Sequence, residues 1–255
     1  MLAQATAIAT LESLAPGRTV AAVGTGFTGR MTLGQRPLPW SDVEAYVRQL
    51  RALLRGEQVE VDGSVVQMIP AAGCLPDAAS VPIIVAANGP KGLRVAKELG
   101  DGIMTIGSGQ PDFDWCAVLA FGTVLDEGEP PASPRAFAAA GPALTVVYHG
   151  MYEANPDAVD SLPGGSEWRT AVEELPPPVR HLSVHEDHLV RVTERDAPLL
   201  DGDLLGAFTW TAPAASLRER LDQLEAEGAT EILYGPMGPD IPRELRAFAA
   251  MAGIG

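Results

Sequence analysis

The sequence predicts an α/β fold built on a parallel sheet. Short apolar runs rich in β-branched residues alternate with helical patterns along most of the chain. The runs are continuously apolar rather than alternating, as in strands covered on both faces. Two of them, Val81–Ala87 and Gly102–Ile106, flank a helix. A crossover of that length joins parallel strands and is right-handed.

The first element is the Ala-rich stretch Leu2–Leu14, a helix with Gly17 just beyond its end. Arg18–Gly24 is a short buried strand that runs into glycines. Ser41–Arg55 is the clearest helix. Ser41 and Glu44 have capping-box spacing, Val43, Tyr46, Val47, Leu50 and Leu54 share one stripe, and Gly56 stops it. Gln58–Met68 alternates around Asp62-Gly63, a hairpin signature. Pro90–Leu99 is a helix with proline in its first turn and Gly100 after its end.

Val118–Leu125 fits either strand or helix, and Ala143–His149 reads as a strand. Residues 150–212, with Pro176-Pro177-Pro178 and Gly164-Gly165, read as a long irregular stretch with short helices. Pro213–Glu227 is a helix carrying Leu217, Leu221 and Leu224, Thr230–Tyr234 is a strand, and Pro242–Ala252 is a final helix.

Composition narrows the function. The chain has 255 residues, 46% of them apolar, which can bury a substantial core. Its net charge of −15 repels phosphate backbones and argues against nucleic-acid binding. The acidity lies late: residues 1–70 carry six basic and six acidic side chains, and residues 131–255 nine and nineteen. Lys91 and Lys97 are the only lysines. No run of about 18 apolar residues predicts a membrane span, and the N-terminus lacks the basic region of a signal peptide. Cys74 and Cys116 read as unpaired thiols in a reducing cytoplasm.

Two loops stand out as sites. Gly24-Thr25-Gly26-Phe27-Thr28-Gly29 matches G-x-G-x-x-G after a strand. The dinucleotide fingerprint also needs a helix opening there and an acidic residue ending a second strand. Arg30–Pro39 contains Pro37 and Pro39 and reads as loop, and Asp42 and Glu44 fall in a helix. Two readings remain: a plain tight turn, or a glycine loop on which backbone approaches a flat or anionic ligand. Ala86-Ala87-Asn88-Gly89-Pro90-Lys91 ends a strand and opens a helix. Its free N–H groups and Lys91 suit a phosphate. Alternatively Asn88 only caps the helix and Lys91 is solvated.

His181, His185 and His188 would share a helical face, but they are not the His-Glu-x-x-His pattern, and no metal is assigned. His185 and His188 read as substrate-loop residues, and His149, at the end of its strand, as a rim residue. No Gly-x-Ser-x-Gly elbow, P-loop or zinc ribbon is present. With no self-sufficient nucleophile, no catalytic residue is assigned, and a cofactor is expected to carry any chemistry.

Several stretches together resemble the bacterial-luciferase-like flavin- or F-420-dependent oxidoreductases. They are Ala9–Arg18 with Val23–Gly26, Tyr46–Glu57, Val81–Lys91, Leu99–Gly102 and Gly228–Tyr234. The branch most similar is that of methylenetetrahydromethanopterin reductase. The resemblance implies a (β/α)₈ TIM-barrel type, one domain over residues 1–255 with an insertion-rich region at about 107–212, lacking the first three strands. Either the chain then starts further upstream, or the 107–212 region supplies substitutes, or two chains complete each other in a homodimer.

The resemblance also implies coenzyme F-420, alternatively FMN, as cofactor. Gly24, Thr25 and Gly26 would line it, and Asn88, Gly89 and Pro90 would hold its phosphate end, with the neighbouring Ala87 and Lys91 also binding the cofactor. The implied activity is hydride transfer or monooxygenation on a small organic substrate, the alternative being a cofactor-binding fragment without activity. The unpaired thiols and the lack of signal-peptide features lead to the expectation of a cytoplasmic location.

Overall fold

A computed structural model describes residues 1–70 and 78–254. Cys74 therefore lies outside the described residues, while Cys116 is free and buried. The chain begins with α1 (Leu2–Leu14), β1 (Ala21–Val23), the short α2 (Phe27–Met31) and α3 (Trp40–Leu54). The hairpin β2 (Val59–Val61) and β3 (Ser64–Val66) follows, then β4 (Ile83–Ala86), α4 (Pro90–Leu99), β5 (Gly102–Ile106), β6 (Cys116–Phe121) and β7 (Val124–Leu125). A helical stretch comes next: α5 (Pro134–Ala154), α6 (Gly165–Glu173), α7 (Arg180–Val184) and α8 (Gly202–Phe208). The chain closes with β8 (Ala212–Pro213), α9 (Ala214–Ala226), β9 (Glu231–Gly235) and α10 (Ile241–Ala252).

The main sheet has five strands in the order β1-β4-β5-β6-β9, every pair parallel. Strands adjacent in sequence order are adjacent in space, with no reversal of direction across the sheet. That is the order of a barrel sector, not of a doubly wound fold, which has a switch point. The described residues form an open sheet with β1 and β9 as edges.

Helices cover one face of this sheet. Val85, Ile103, Cys116, Val118 and Ala120 pack with Val95 and Ala96 of α4, Leu217 and Leu224 of α9, and Phe248 and Met251 of α10. A second core joins Ala21 and Ile83 to Val43, Val47, Leu50 and Leu54 of α3 and to Ala5 and Ala9 of α1. The opposite face stays partly open, with Ile106 62% and Leu233 37% exposed.

The Leu99–Gly102 motif has a structural reason. Asp101 Oδ2 accepts from Ile83 N at 2.8 Å, and Arg51 donates to Asp101 at 2.9 Å and to Leu99 O at 2.8 Å. One carboxylate thus ties the end of α4, the start of β4 and α3 together. The Asp62-Gly63 turn is also as expected, both residues having positive φ (51° and 75°), as a type I′ hairpin requires.

Three local expectations need correction. The Ser41–Glu44 capping box does not form: Pro39 is the N-cap of α3, and Ser41 Oγ bonds Asp42. Pro39-Trp40 already fixes the entry, which leaves Ser41 inside the helix. Val118–Leu125 resolves into two strands, β6 and β7, broken at Gly122, whose φ is 156°. A Cβ there would lie 2.3 Å from the Trp210 carbonyl carbon.

Most importantly, Ala143–His149 is not a strand but the middle of the 21-residue α5. Its β-branched run follows Pro142, so local sequence points away from helix. Burial wins, because Ala136, Ala140, Leu144, Tyr148 and Tyr152 form a separate core with Trp168, Val172, Leu199 and Leu205. A helix buried on most sides shows no amphipathic stripe. Pro142 removes the N–H that would reach Ala138 O, and the Gly238 backbone packs there instead, at φ 82° and with no room for a Cβ.

The turn before α5 carries a pH-sensitive contact. Arg135 Nε donates to both Glu129 oxygens at 2.8 and 3.0 Å, Ser133 Oγ to Oε1, and Asp126 N to Oε2 at 2.9 Å. The Arg135 guanidinium, helped by Ser133 and the Asp126 N–H against the opposing effect of burial, holds Glu129 down from 4.5 to about 2. A carboxyl lowered on folding stabilises above its unfolded value and loses that contribution as pH falls toward the folded value. Glu129→Gln is expected to cost about 1–2 kcal/mol at pH 7, allowing for solvent screening. Urea unfolding of both proteins should show the difference shrinking from pH 4.5 toward 2.

Candidate functional site

The carboxyl ends of β1, β4, β5 and β6 surround a cavity of about 540 Å³, within the range of small-molecule sites. Ala22, Ala86, Met104, Ile106 and Leu119 give it an apolar floor. Its rim is Gly24, Thr25, Gly26, Ala87 and Asn88, with Phe27 and Trp40 as aromatic walls. Among the described residues, none that lines it carries a titratable side chain.

The glycine loop permits a close approach. A Cβ on Gly24 would stand 3.2 Å from Ala86 Cβ and 3.4 Å from Ala86 O, so the β1 and β4 loops approach at a distance that a Cβ would crowd. Gly26 has φ 71° and caps α2 in the left-handed region. A helix therefore does open after this loop, contrary to expectation, because Arg30 N reaches back to Gly26 O at 2.7 Å. It ends at Met31, and the next parallel strand, β4, runs into Ala87-Asn88 with no acid. The dinucleotide fingerprint remains incomplete.

Asn88 is not the cap of α4, for which Gly89 serves. Its Nδ2 donates to Ile106 O at 2.7 Å, and its Oδ1 accepts from Ile106 N at 3.2 Å. The side chain thus acts as a short extra strand that fixes the end of β5. Gly89 caps α4 and Pro90 and Lys91 open its first turn; none of the three is among the residues that line the cavity, and Lys91 is exposed. That turn presents free backbone N–H groups, Pro90 having none.

Trp40 was not singled out by sequence. Its signal is Gly92, in the first turn of α4, where a Cβ would meet the Trp40 ring at 2.4 Å and Ala87 Cβ at 2.5 Å. The glycine makes room for the indole beside the cavity. Phe27 also borders a second cavity of about 750 Å³, lined by Arg36, Arg180 and His181 among others.

His181 therefore parts from the other histidines. His149, His185 and His188 converge instead, and none lines either cavity. His149 is not at a strand end but inside α5 and 1% exposed, and His185 is 8% exposed. His149 is thus no rim residue at a strand end, while His185 and His188 do lie in the turn that follows α7, away from both cavities. Burial, reinforced by the His149 and His185 rings, pushes His188 down to about 4. Asp196, behind His149, is raised by burial but more strongly lowered by the His149 ring and by the Trp168 N–H.

A parallel barrel-type sheet with a glycine-rimmed apolar cavity at its carboxyl ends defines a small-molecule or cofactor-binding protein of the TIM-barrel class. The profile of the luciferase-like monooxygenase family matches residues 2–231. The chain belongs to that family.

Among curated relatives, 5,10-methylenetetrahydromethanopterin reductase of Archaeoglobus fulgidus is 27% identical, with 95% of this chain and 75% of that protein covered. The F-420-dependent glucose-6-phosphate dehydrogenase of Beutenbergia cavernae is 40% identical over 114 residues, 42% of this chain and 33% of that one. The fold is similar to that of the coenzyme F-420-dependent tetrahydromethanopterin reductase of Methanopyrus kandleri. That match has a TM-score of 0.61 at 16% identity and covers 99% of this chain and 78% of that one. It is also similar to an F-420-dependent secondary alcohol dehydrogenase, with TM-score 0.59, 17% identity and coverage of 98% and 73%. No helix among the described residues is long and apolar enough to cross a membrane.

Proposed function

We propose that the protein is an oxidoreductase that binds coenzyme F-420 in the cavity at the strand ends and acts on a small organic substrate. The observation that carries this is the glycine cradle, where Gly24 lets two strand loops meet at a distance a Cβ would crowd. A planar ring fits between such backbone and the apolar floor of Met104, Ile106 and Leu119. The first turn of α4, with Lys91 beside it, suits the phosphate end. The relatives named for F-420 favour it over FMN.

When bound, the deazaflavin supplies hydride transfer at its central ring. The protein's own contribution is position and exclusion of water. Gly24, Thr25 and Gly26 present backbone to the ring. Asn88 fixes the end of β5, so that Met104 and Ile106 hold a defined floor. Trp40 and Phe27 wall the site, and the adjoining cavity with Arg36, Arg180 and His181 is the place for substrate.

The lack of a titratable group in the lining, together with the open face around Ile106, also supports a second reading: cofactor binding without turnover. Titration with F-420 and with FMN, followed by fluorescence, tests the first step. Saturable F-420 binding is expected, and Asn88→Ala should weaken it roughly tenfold by freeing the end of β5. No binding of F-420 at tens of micromolar by folded protein would reject the assignment. Binding without oxidation of any alcohol or reduced pterin would favour the second reading.

A further inference from the structure

We propose that His149, His185 and His188 form a zinc site that clips the segment 180–196 onto α5. One nitrogen of each ring lies within 4.8 Å of the others. His185 Nδ1 and His188 Nδ1 are 3.4 Å apart. Two imidazole nitrogens bound tetrahedrally at about 2.0–2.1 Å from one zinc ion are about 3.3–3.4 Å apart. The pair already has the spacing of two ligands on one ion.

The far sides of the rings fit the same reading. His149 Nε2 faces Asp196 Oδ2 at 3.4 Å, and His185 Nε2 faces Glu153 Oε1 at 3.4 Å. A histidine that ligates through one nitrogen characteristically turns the other toward a carboxylate, which fixes its tautomer. Asp196 is held in turn by Trp168 Nε1, which donates to Oδ1 at 2.7 Å. Trp168 also stacks on His149, with centroids 5.6 Å apart and planes 19° apart. The donors thus point inward, with a carboxylate behind two of them.

Without an ion the cluster is poorly matched. Among the described residues, both His149 nitrogens and the Nε2 atoms of His185 and His188 lack a good hydrogen-bond partner. The side chains of His149 and His185 are only 2% and 3% exposed. Buried polar atoms in native proteins are normally satisfied. A single contact between His185 and His188 leaves His149 unmatched, whereas one divalent cation would take one nitrogen from each of the three rings. Three imidazoles suit zinc over the oxygen-seeking cations. The fourth position falls to water, as in open zinc sites, but the rings are buried and line neither cavity, which leaves the ion the role of a clip. The order of these residues in sequence conceals it, because His149 lies on a helix remote in sequence from the other two.

The test uses the full chain, stripped with a chelator and dialysed. Added Co²⁺ is expected to bind at one equivalent, with the visible absorption of tetrahedral cobalt, and to quench tryptophan fluorescence. Trp168→Phe should remove most of that quenching while keeping the stoichiometry. Added Zn²⁺, at a hundredfold excess over its dissociation constant, should raise Tm by roughly 5 °C. His188→Ala, at the half-buried corner, should lose the cobalt absorption and the Tm shift while keeping its far-UV circular dichroism. The proposal fails if folded wild-type protein takes up neither metal at tens of micromolar, or if His188→Ala binds as tightly as wild type. Should His188→Ala not fold, the stoichiometry and the Trp168→Phe quenching still decide. None of these readouts depends on F-420.

Discussion

Replacing Glu244 by alanine is expected to lower stability by about 3 kcal/mol and Tm by roughly 6–12 °C. Glu244 lies on α10 and is 2% exposed. Thr123 Oγ1 donates to it at 2.6 Å, Arg135 Nη1 at 3.2 Å and Arg243 Nη1 at 3.1 Å. The same two arginines bond Val124 O, at 3.3 and 2.9 Å. One carboxylate therefore joins α10, α5 and the junction between β6 and β7. Removing it leaves two guanidinium groups facing each other around a buried hydroxyl. Their side chains are 31% and 20% exposed, so water relieves part of the cost, which places the effect at the low end for a broken buried pair. Glu244→Gln keeps the shape and an acceptor for Thr123 and should lose about half as much. Calorimetric melting of the two variants measures this. A Glu244→Ala protein that melts within 2 °C of wild type, on the order of measurement scatter, would show that the network contributes little.

The second large effect is expected at the Gly24 loop. Gly24→Val should weaken F-420 binding at least about 100-fold, or about 2.7 kcal/mol. The Cβ meets Ala86 at van der Waals limits, and the branched carbons occupy the space between the β1 and β4 loops. Gly24 is not among the glycines with positive φ, so its backbone accepts a side chain and the fold should survive, at a cost of about 1–3 kcal/mol from overpacking. Gly26 makes a poorer probe, since its φ of 71° would strain any other residue. Fluorescence titration alongside a melting curve separates the two effects. Unchanged affinity in a folded Gly24→Val protein would move the ring away from this loop.

Much of the fold was legible because its signals are local. The alternation of apolar runs and capped helices gave β4, α4 and β5 their order and direction. Glycines at Gly56, Gly100 and Gly228 marked where helices stop. The loops at Gly24 and Asn88 were legible for the same reason, since a strand end followed by glycine or a helix start is written in consecutive residues. What Asn88 does there was not. Its partner, Ile106, is supplied by the neighbouring strand, so only register decides between a helix cap and a strand extension.

The sequence by itself determined the family, the parallel α/β class and the position of both cavity loops. These depend on short-range patterns that few other folds produce. Tertiary structure alone decided that residues 143–149 are helical, because burial on most sides of α5 outweighs β-branched propensity and Pro142. It alone decided that Glu244 meets Arg135 and Thr123, and that His149 joins His185 and His188 while His181 leaves them. Those contacts link residues far apart in the chain, and no local spacing encodes them. They follow from the packing of the helical layer, which exists only once the sheet and its covering helices have formed.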